Sequence, residues 1–424
     1  MLFYLSPPFI LETMTDPKTI AIADYDYPLP EERIAKYPLA QRDQSKLLVF
    51  KNGTITEDTF CNIPDLLPDD TLLVFNNTKV IHARLVFQKE TGSTIEIFCL
   101  EPYQTAISEA FEQRERCKWL CFIGNNKKWK SGDLTKAVSG QQPAGTGHRS
   151  QVTYTLTATR REPVGNAWIV DFSWTGEISF AEVIELAGVI PLPPYLHREA
   201  ENDDNTRYQT VYADPMGSVA APTAGLHFTD EVFNRLKTRH IATEFLTLHV
   251  GAGTFKPVSS DTIGEHEMHT EKIVVNRSTI QHILQHAGKP LIAIGTTSVR
   301  TLESIYWFGV QLGKDSNAKA MHVEQWEPYE GDDTPTLGEA YGNVLAWLDS
   351  QSLDTLYGET RLIIAPGYKY HVINGMVTNF HQPKSTLLLL VSALIGDSWK
   401  DCYRYALDNK FRFLSYGDSC LLVP

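Results

Sequence analysis

The stretch PLIAIGTTSVRTLESIYWFG, residues 290–309, decides the fold class. Its first part, Leu291 to Ile294, is a short apolar run that reads as a buried strand. Gly295 and two threonines then turn the chain. Beyond them Val299, Leu302, Ile305 and Tyr306 recur at helical spacing on one face, which predicts a helix with those residues inward. A buried strand that feeds an amphipathic helix is the repeating piece of an α/β domain.

Further pieces of that domain lie on both sides. FLTLHV (245–250), RLIIAPGY (361–368) and HVINGMVTNF (371–380) read as strands. A helix is predicted from Thr229 to about Arg239, and STLLLLVSALIG (385–396) reads as a buried helix. In SFAEVIELAG (179–188), Ser179 and Glu182 form a capping box and Phe180, Val183, Ile184 and Ala187 the apolar face. Upstream, KLLVF with the Asn52-Gly53 turn is strand-like, and TLLVFNNTKVIHARLVF (71–87) reads as strand, turn and strand. From there the pattern changes. STIEIFCLE, KWLCFIG, VTYTLTAT and AWIVDFSW are short strands in close succession, which predicts a β-barrel or sandwich over 84–175. Within it, 136–150 (KAVSGQQPAGTGHRS) reads as a polar, mobile loop. Residues 310–357, acidic and punctuated by Pro and Gly, read as a surface excursion.

The expected organisation is therefore an α/β domain, discontinuous over 20–83 and 176–424, with a β-barrel domain inserted at 84–175. Residues 1–19 are expected to be a disordered or spurious extension, with Met14 a second candidate start. That segment has no basic region and Pro7-Pro8 breaks its apolar run, so a signal peptide is not expected. The longest apolar run elsewhere, Leu387 to Ile395, is too short for a membrane span. The six cysteines form no C-x-x-C pair and read as reduced, so a cytoplasmic location is expected. A net charge of −13 opposes indiscriminate binding to nucleic acid, so an RNA partner would need a local basic face. Monomer is the default expectation.

Four segments could carry chemistry: PTAGLHFT (222–229), TLHVGAGTF (247–255), AIGTTSVRT (293–301) and TNFHQPKST (378–386). Each puts a Gly/Thr/Ser-rich turn after a strand, the place where open α/β sheets bind ligands. Three of the turns hold a histidine: His227, His249 and His381. Thr296, Thr297 and Arg300 at a helix start suit a carboxylate or a phosphate. His266 and His269 (HEMH) lack the H-E-x-x-H spacing, so no metal site is expected. There is no P-loop motif and no G-x-S-x-G. GNNKKWK (124–130) is the densest basic run; it reads as a solvated hairpin or as an RNA contact with Trp129 stacking. The residues alone stop at an enzyme acting on a charged small molecule.

Taken together the chain resembles one family, the S-adenosylmethionine:tRNA ribosyltransferase-isomerases of queuosine biosynthesis. The resemblance runs from about Asp24 to Leu422. It is carried by DYDYPLPEERIAKYPLAQRDQSKLL, LLVFNNTKVIHARL, PLPPYL, RYQTVYADPMGSVAAPTAGLHFT, LTLHVGAGTFKPV, HEMHTE, IGTTSVRTLES, TNFHQPKSTLLLLVSALIG and FRFLSYGDSCLL. It implies an α/β domain with an inserted β-barrel. It also implies transfer of the ribosyl part of S-adenosylmethionine to 7-aminomethyl-7-deazaguanine in the tRNA anticodon loop, isomerised to the epoxycyclopentane of epoxyqueuosine, with adenine and methionine released. S-adenosylmethionine is then a substrate and no cofactor is implied.

On that reading His227 does acid/base work, with His249 and His381 as alternatives. Thr223, Gly225, Gly251, Gly253 and Asn379 shape the nucleoside pocket. Thr296, Thr297 and Arg300 hold the methionine carboxylate or a phosphate. Arg84, Lys127, Lys128, Lys256 and Lys384 meet the RNA backbone. The chain departs from the family pattern at His82 (for Pro), Gly124 (for Arg), Ala365 (for an aromatic), Asn374 (for Asp) and Gln382 (for Leu). These departures keep open two other readings: a divergent paralogue that uses S-adenosylmethionine on another acceptor, and a non-catalytic RNA- or nucleoside-binding protein.

Overall fold

Leu72–Asn76, LLVFN, is buried at every position, as a strand covered on both faces must be. In the computed structural model, which describes residues 16–144, 148–251, 258–331 and 334–424, this strand lies inside a ten-stranded sheet. Ala242–His249 pairs with it in parallel on one side and Leu291–Ile294 on the other; Gly375–Asn379 extends the parallel set beyond Leu291–Ile294. Successive parallel strands thus go to opposite sides of Leu72–Asn76, and the loops beyond their carboxyl ends diverge there. Such a divergence opens a crevice. The sheet continues through Glu271–Asn276, Thr355–Thr360 and Met321–Val323 at one edge. At the other it continues through Ser419–Val423, Lys46–Lys51 and Thr54–Thr59. Asn52 and Gly53 join the last two with positive φ angles of 49° and 75°, the backbone a two-residue hairpin requires.

Val299, Leu302, Ile305 and Tyr306 are buried as their spacing predicts. The segment that follows is not a surface excursion. The helix Thr296–Lys314 runs into it, and the helix Leu337–Gln351 puts Ala340, Tyr341, Val344, Trp347 and Leu348 into the main core. The cause is a close approach that no local pattern displays: a Cβ on Gly309 would lie 2.1 Å from the Ala340 carbonyl oxygen, so the two helices touch backbone to backbone. RLIIAPGY also differs from expectation. Leu362 to Ala365 are buried but join no ladder. Side chains take much of the ladder's place: Arg300 Nε donates to Leu362 O (3.0 Å) and Ala365 N donates to Tyr329 OH (3.0 Å), while Ile363 N donates to the Gln325 carbonyl (3.3 Å).

The second sheet is antiparallel throughout. Its order is Gly188–Val189, Arg84–Gln88, Thr94–Pro102, Arg116–Gly124, Ala167–Trp174, His148–Val164, Leu134–Ala144. It curls around its own core of Phe87, Ile97, Cys99, Trp119, Cys121 and Phe172. The helix Phe180–Ala187, with both bonds of the Ser179–Glu182 capping box made, buries Phe180, Val183 and Ile184 in this core rather than in the main one. The polar stretch 136–150 is not a loop over most of its length: it supplies two long hairpin strands, Leu134–Ala144 and the start of His148–Val164. Gly140, which reads as a loop residue, leaves room for the Tyr154 ring; a Cβ there would meet it at 2.8 Å. Among the described residues no helix is long and apolar enough to cross a membrane.

Candidate active site

Asn76 ends the central strand and ties the crevice together. It is fully buried. Its Nδ2 donates to Leu248 O (3.0 Å) and to Thr297 Oγ1 (3.1 Å), while its Oδ1 accepts from Thr78 N and Leu248 N (both 3.1 Å). One side chain therefore joins the ends of three parallel strands and aims Thr297. Next to it Gly295, with φ 85°, turns the chain into the helix that begins at Thr296, whose first N–H groups have no intrahelical acceptor. Ser298 Oγ donates back to Ile294 O (2.7 Å) and steadies that turn.

The loops enclose a cavity of about 140 Å³. Thr223, Thr296, Thr297, Arg300, Asn379 and His381 line it, so all four sequence-predicted segments approach it except where TLHVGAGTF passes outside the described residues. Gly253 and Lys256 lie in that undescribed part; Val250 is on the cavity wall, and no described residue lies near the Cβ position of Gly251. Gly225 is not on the wall. Its Cβ would fall 2.0 Å from the Tyr212 hydroxyl oxygen, so its part is to let that ring pack. Residues absent from the expected site also line the cavity: His266, Met268, His269, Glu271, Tyr195 and Tyr208. Four of them belong to HEMHTE, a motif visible in the sequence but without a role while its place in space was unknown. His266 and His269 sit in an irregular segment after the turn Ile263–Glu265, not on a helix.

The three candidate histidines separate by environment. His381 is on the cavity wall, with Nε2 2.9 Å from Thr378 Oγ1; burial holds its pKa at about 3. His227 lies behind the wall. Its Nε2 is 3.2 Å from Asn379 Oδ1 and its Nδ1 2.8 Å from Ser45 Oγ. Asn379 Nδ2 donates to Leu414 O (3.0 Å), which fixes the amide, so His227 Nε2 is the donor and Nδ1 accepts from the serine. Burial lowers its pKa to about 4. His249 bonds Thr78 Oγ1 (2.9 Å) and packs under Gly217, where a Cβ would meet its ring at 2.8 Å; burial lowers it to about 4 as well. At neutral pH all three are uncharged.

This has a consequence for acid stability. A histidine whose folded pKa is depressed contributes stability that is present above about pH 6.5 and lost as the pH falls through the folded value, here about 4 for His227 and His249 and about 3 for His381. Each is worth roughly 3–5 kcal/mol. Glu303 acts oppositely: burial raises its pKa to about 7, so its contribution is present below about pH 4.5 and lost as the pH rises through 7. Three groups outweigh one, and the urea midpoint is expected to fall steadily from pH 6.5 to 4. A flat profile would mean that the histidines are hydrated.

The candidate RNA contacts are scattered. Lys127 and Lys128 are exposed on a turn of the barrel. Trp129 beside them cannot stack on a base: it is fully buried, and its Nε1 donates to Gly132 O (2.8 Å). An aromatic flanked by lysines can point inward while they point out, and the barrel core claims this one. Arg84 bridges Glu96 (3.1 Å) and Glu199 (2.8 Å), and Lys384 pairs with Asp26 (2.9 Å). Arg84, Phe98, Phe122 and Gly124 line a cleft of about 670 Å³ between the barrel and Pro191–Pro194.

Of the departures, Gln382 lines the cavity, whereas Ala365 is buried against Ile22 and Leu389. Asn374 is exposed at the opposite end of the parallel strands. Its Oδ1 accepts from Leu291 N (2.8 Å), a bond that aspartate would also make. Asn374→Asp is therefore expected to leave kcat/KM within a factor of about two, the change a surface substitution brings; a tenfold rise would put this position in the chemistry.

A mixed sheet with a polar cavity where its central loops diverge, and beside it a curled antiparallel sheet whose two edge strands do not pair, defines an α/β protein with a half-barrel appendage. The chain belongs to the queuosine biosynthesis protein family, whose model matches residues 22–422. It is 37% identical to the S-adenosylmethionine:tRNA ribosyltransferase-isomerase of Nostoc sp., over 95% of this chain and 92% of that one. It is likewise 37% identical to the protein of the same name from Pelobacter propionicus, over 95% and 99%. A solved S-adenosylmethionine tRNA ribosyltransferase from Thermotoga maritima aligns over 94% of this chain and 100% of its own, with 25% identity and a TM-score of 0.44.

Proposed function

We propose that this protein transfers and isomerises the ribosyl moiety of S-adenosylmethionine onto 7-aminomethyl-7-deazaguanine in a tRNA anticodon loop, forming epoxyqueuosine and releasing adenine and methionine. The carrying observation is the meeting of PTAGLHFT, AIGTTSVRT and TNFHQPKST around one cavity, with HEMHTE closing its wall. A chain in which those segments served only folding would have no reason to gather them where the strand order reverses.

The reaction needs a proton taken from the ribosyl carbon beside the sulfonium, a hydrogen bond to adenine as it leaves, and a neutral amine held in line. His381 is the cavity histidine among the three candidates; it is uncharged at pH 7 and, with its pKa held at about 3, a weak base, so its ring suits a hydrogen bond to the departing adenine better than removal of the ribosyl proton. His227 acts through Asn379: it pins the amide that lines the wall. Thr296 and Thr297 present hydroxyls and helix N–H groups to the polar end of the donor. The base must leave its stack to reach the cavity. Lys127 and Lys128 supply exposed positive charge for the RNA backbone. Replacing both by alanine is expected to weaken stem–loop binding and to cut the slope of log K against log salt by roughly 1 to 2; an unchanged slope would remove this turn from the interface.

The test is direct. The purified protein is incubated with S-adenosylmethionine and an anticodon stem–loop bearing the aminomethyl base, and adenine release and RNA mass are followed. Adenine release with the matching mass gain supports the reading. Binding of S-adenosylmethionine without an RNA product would redirect the search to a different acceptor.

A further inference from the structure

Arg300 is the sole lysine or arginine among the described residues that line the cavity. Its Nε donates to Leu362 O (3.0 Å) and its Nη1 to the Glu271 carboxylate, both from within the protein. Its Nη2 is buried and has no hydrogen-bond partner among the described residues. The side chain is 8% exposed. A buried guanidinium nitrogen left unpaired is costly, and native proteins seldom keep one without a use.

We propose that Arg300 Nη2 binds the α-carboxylate at the methionyl end of the donor, with Glu271 and Leu362 O holding the guanidinium in place. The inference rests on the reading of S-adenosylmethionine as the donor and decides which anion this arginine meets. An RNA phosphate is the poorer match. Phosphates of a polyanion are attracted by exposed cations with uncompensated charge. Arg300 is neither exposed nor uncompensated, since Glu271 beside it is buried too. A carboxylate on a small ligand in the cavity is the better match: Arg300 lines that cavity, and one charge-assisted hydrogen bond to a largely buried guanidinium is strong. The first turn of the helix Thr296–Lys314 lies on the same wall, with Thr296 and Thr297 available to the second carboxylate oxygen.

Equilibrium binding to the full-length protein, saturated with an anticodon stem–loop, tests this with three nucleosides. They are S-adenosylhomocysteine, its decarboxylated counterpart, and 5′-methylthioadenosine, which lacks the whole amino-acid end. The wild type is expected to lose roughly 10- to 100-fold in affinity when the carboxylate alone is removed. In Arg300→Lys that preference is expected to collapse while affinity for 5′-methylthioadenosine stays within a factor of about three, which a merely misfolded variant could not show. A wild type indifferent to the carboxylate, or a preference retained in Arg300→Lys, overturns the proposal. The wild-type arm stands even if the variant does not fold. A wild type that binds none of the three nucleosides overturns the donor reading itself, and this inference with it.

Discussion

Asn76→Ala is expected to lower the unfolding free energy by about 3–5 kcal/mol. The change removes four hydrogen bonds at a fully buried position. It strands the Leu248 and Thr78 N–H groups and the Leu248 carbonyl where water cannot replace the lost partner. Each bond alone is worth about 1 kcal/mol, but an orphaned buried group adds its desolvation cost. Thr297 also loses the donor that orients it, so kcat/KM is expected to fall in the surviving folded protein. Urea denaturation followed by tryptophan fluorescence checks the first expectation. Asn76→Asp divides the acceptor bonds from the donor bonds, because it keeps an acceptor for Leu248 N and Thr78 N but lacks the amide donor to Leu248 O and Thr297. A loss below about 1 kcal/mol in Asn76→Ala would mean that waters enter and the latch is not structural.

His381→Ala is expected to reduce kcat by roughly 10²- to 10⁴-fold, the range for loss of a positioned acid or base. Affinity for the stem–loop should stay within a factor of about three, since RNA binding rests on exposed charge elsewhere. The comparison that gives this meaning is His227→Ala. There the expected primary effect is on stability, about 2–4 kcal/mol, because the ring joins Ser45 to Asn379 behind the cavity wall. His227→Gln, whose amide can both donate and accept, is expected to recover part of it. Single-turnover adenine release distinguishes the two histidines from changes in product departure. A large loss of the chemical step in His227→Gln, with His381→Ala near normal, would reverse the assignment.

Much of the fold was legible in the sequence because the signals are local. A strand that must be buried on both faces is apolar throughout, and Leu291 to Ile294 is. The capping box at Ser179 and the inward face of the Thr296 helix follow from spacing alone, and both formed as read. Asn-Gly at 52–53 is a turn for reasons internal to two residues. The motifs that mark the family are local in the same sense, and they delimit the segments from which the cavity is built.

Where sequence reading and structure part, the deciding contact is distant along the chain. Gly309 and Ala340 touch across two helices, which turns an acidic, Gly-punctuated stretch into core. Tyr154 fits against Gly140, which turns a polar run into a strand. Trp129 belongs to the barrel interior despite three lysine neighbours in sequence. The same holds at the site. His227, His249 and His381 have similar local settings, and only packing puts one on the cavity wall and two behind other side chains. Arg300 could meet a carboxylate or a phosphate by residue type; burial and the Glu271 carboxylate, 29 residues away, favour the first. The elements and the pieces of the site could be read from the chain alone, because these depend on neighbours within one or two turns. Which side chains face the cavity, and which donor on Arg300 is left without a partner there among the described residues, followed from the tertiary structure, because burial and pairing depend on groups that folding brings together from afar.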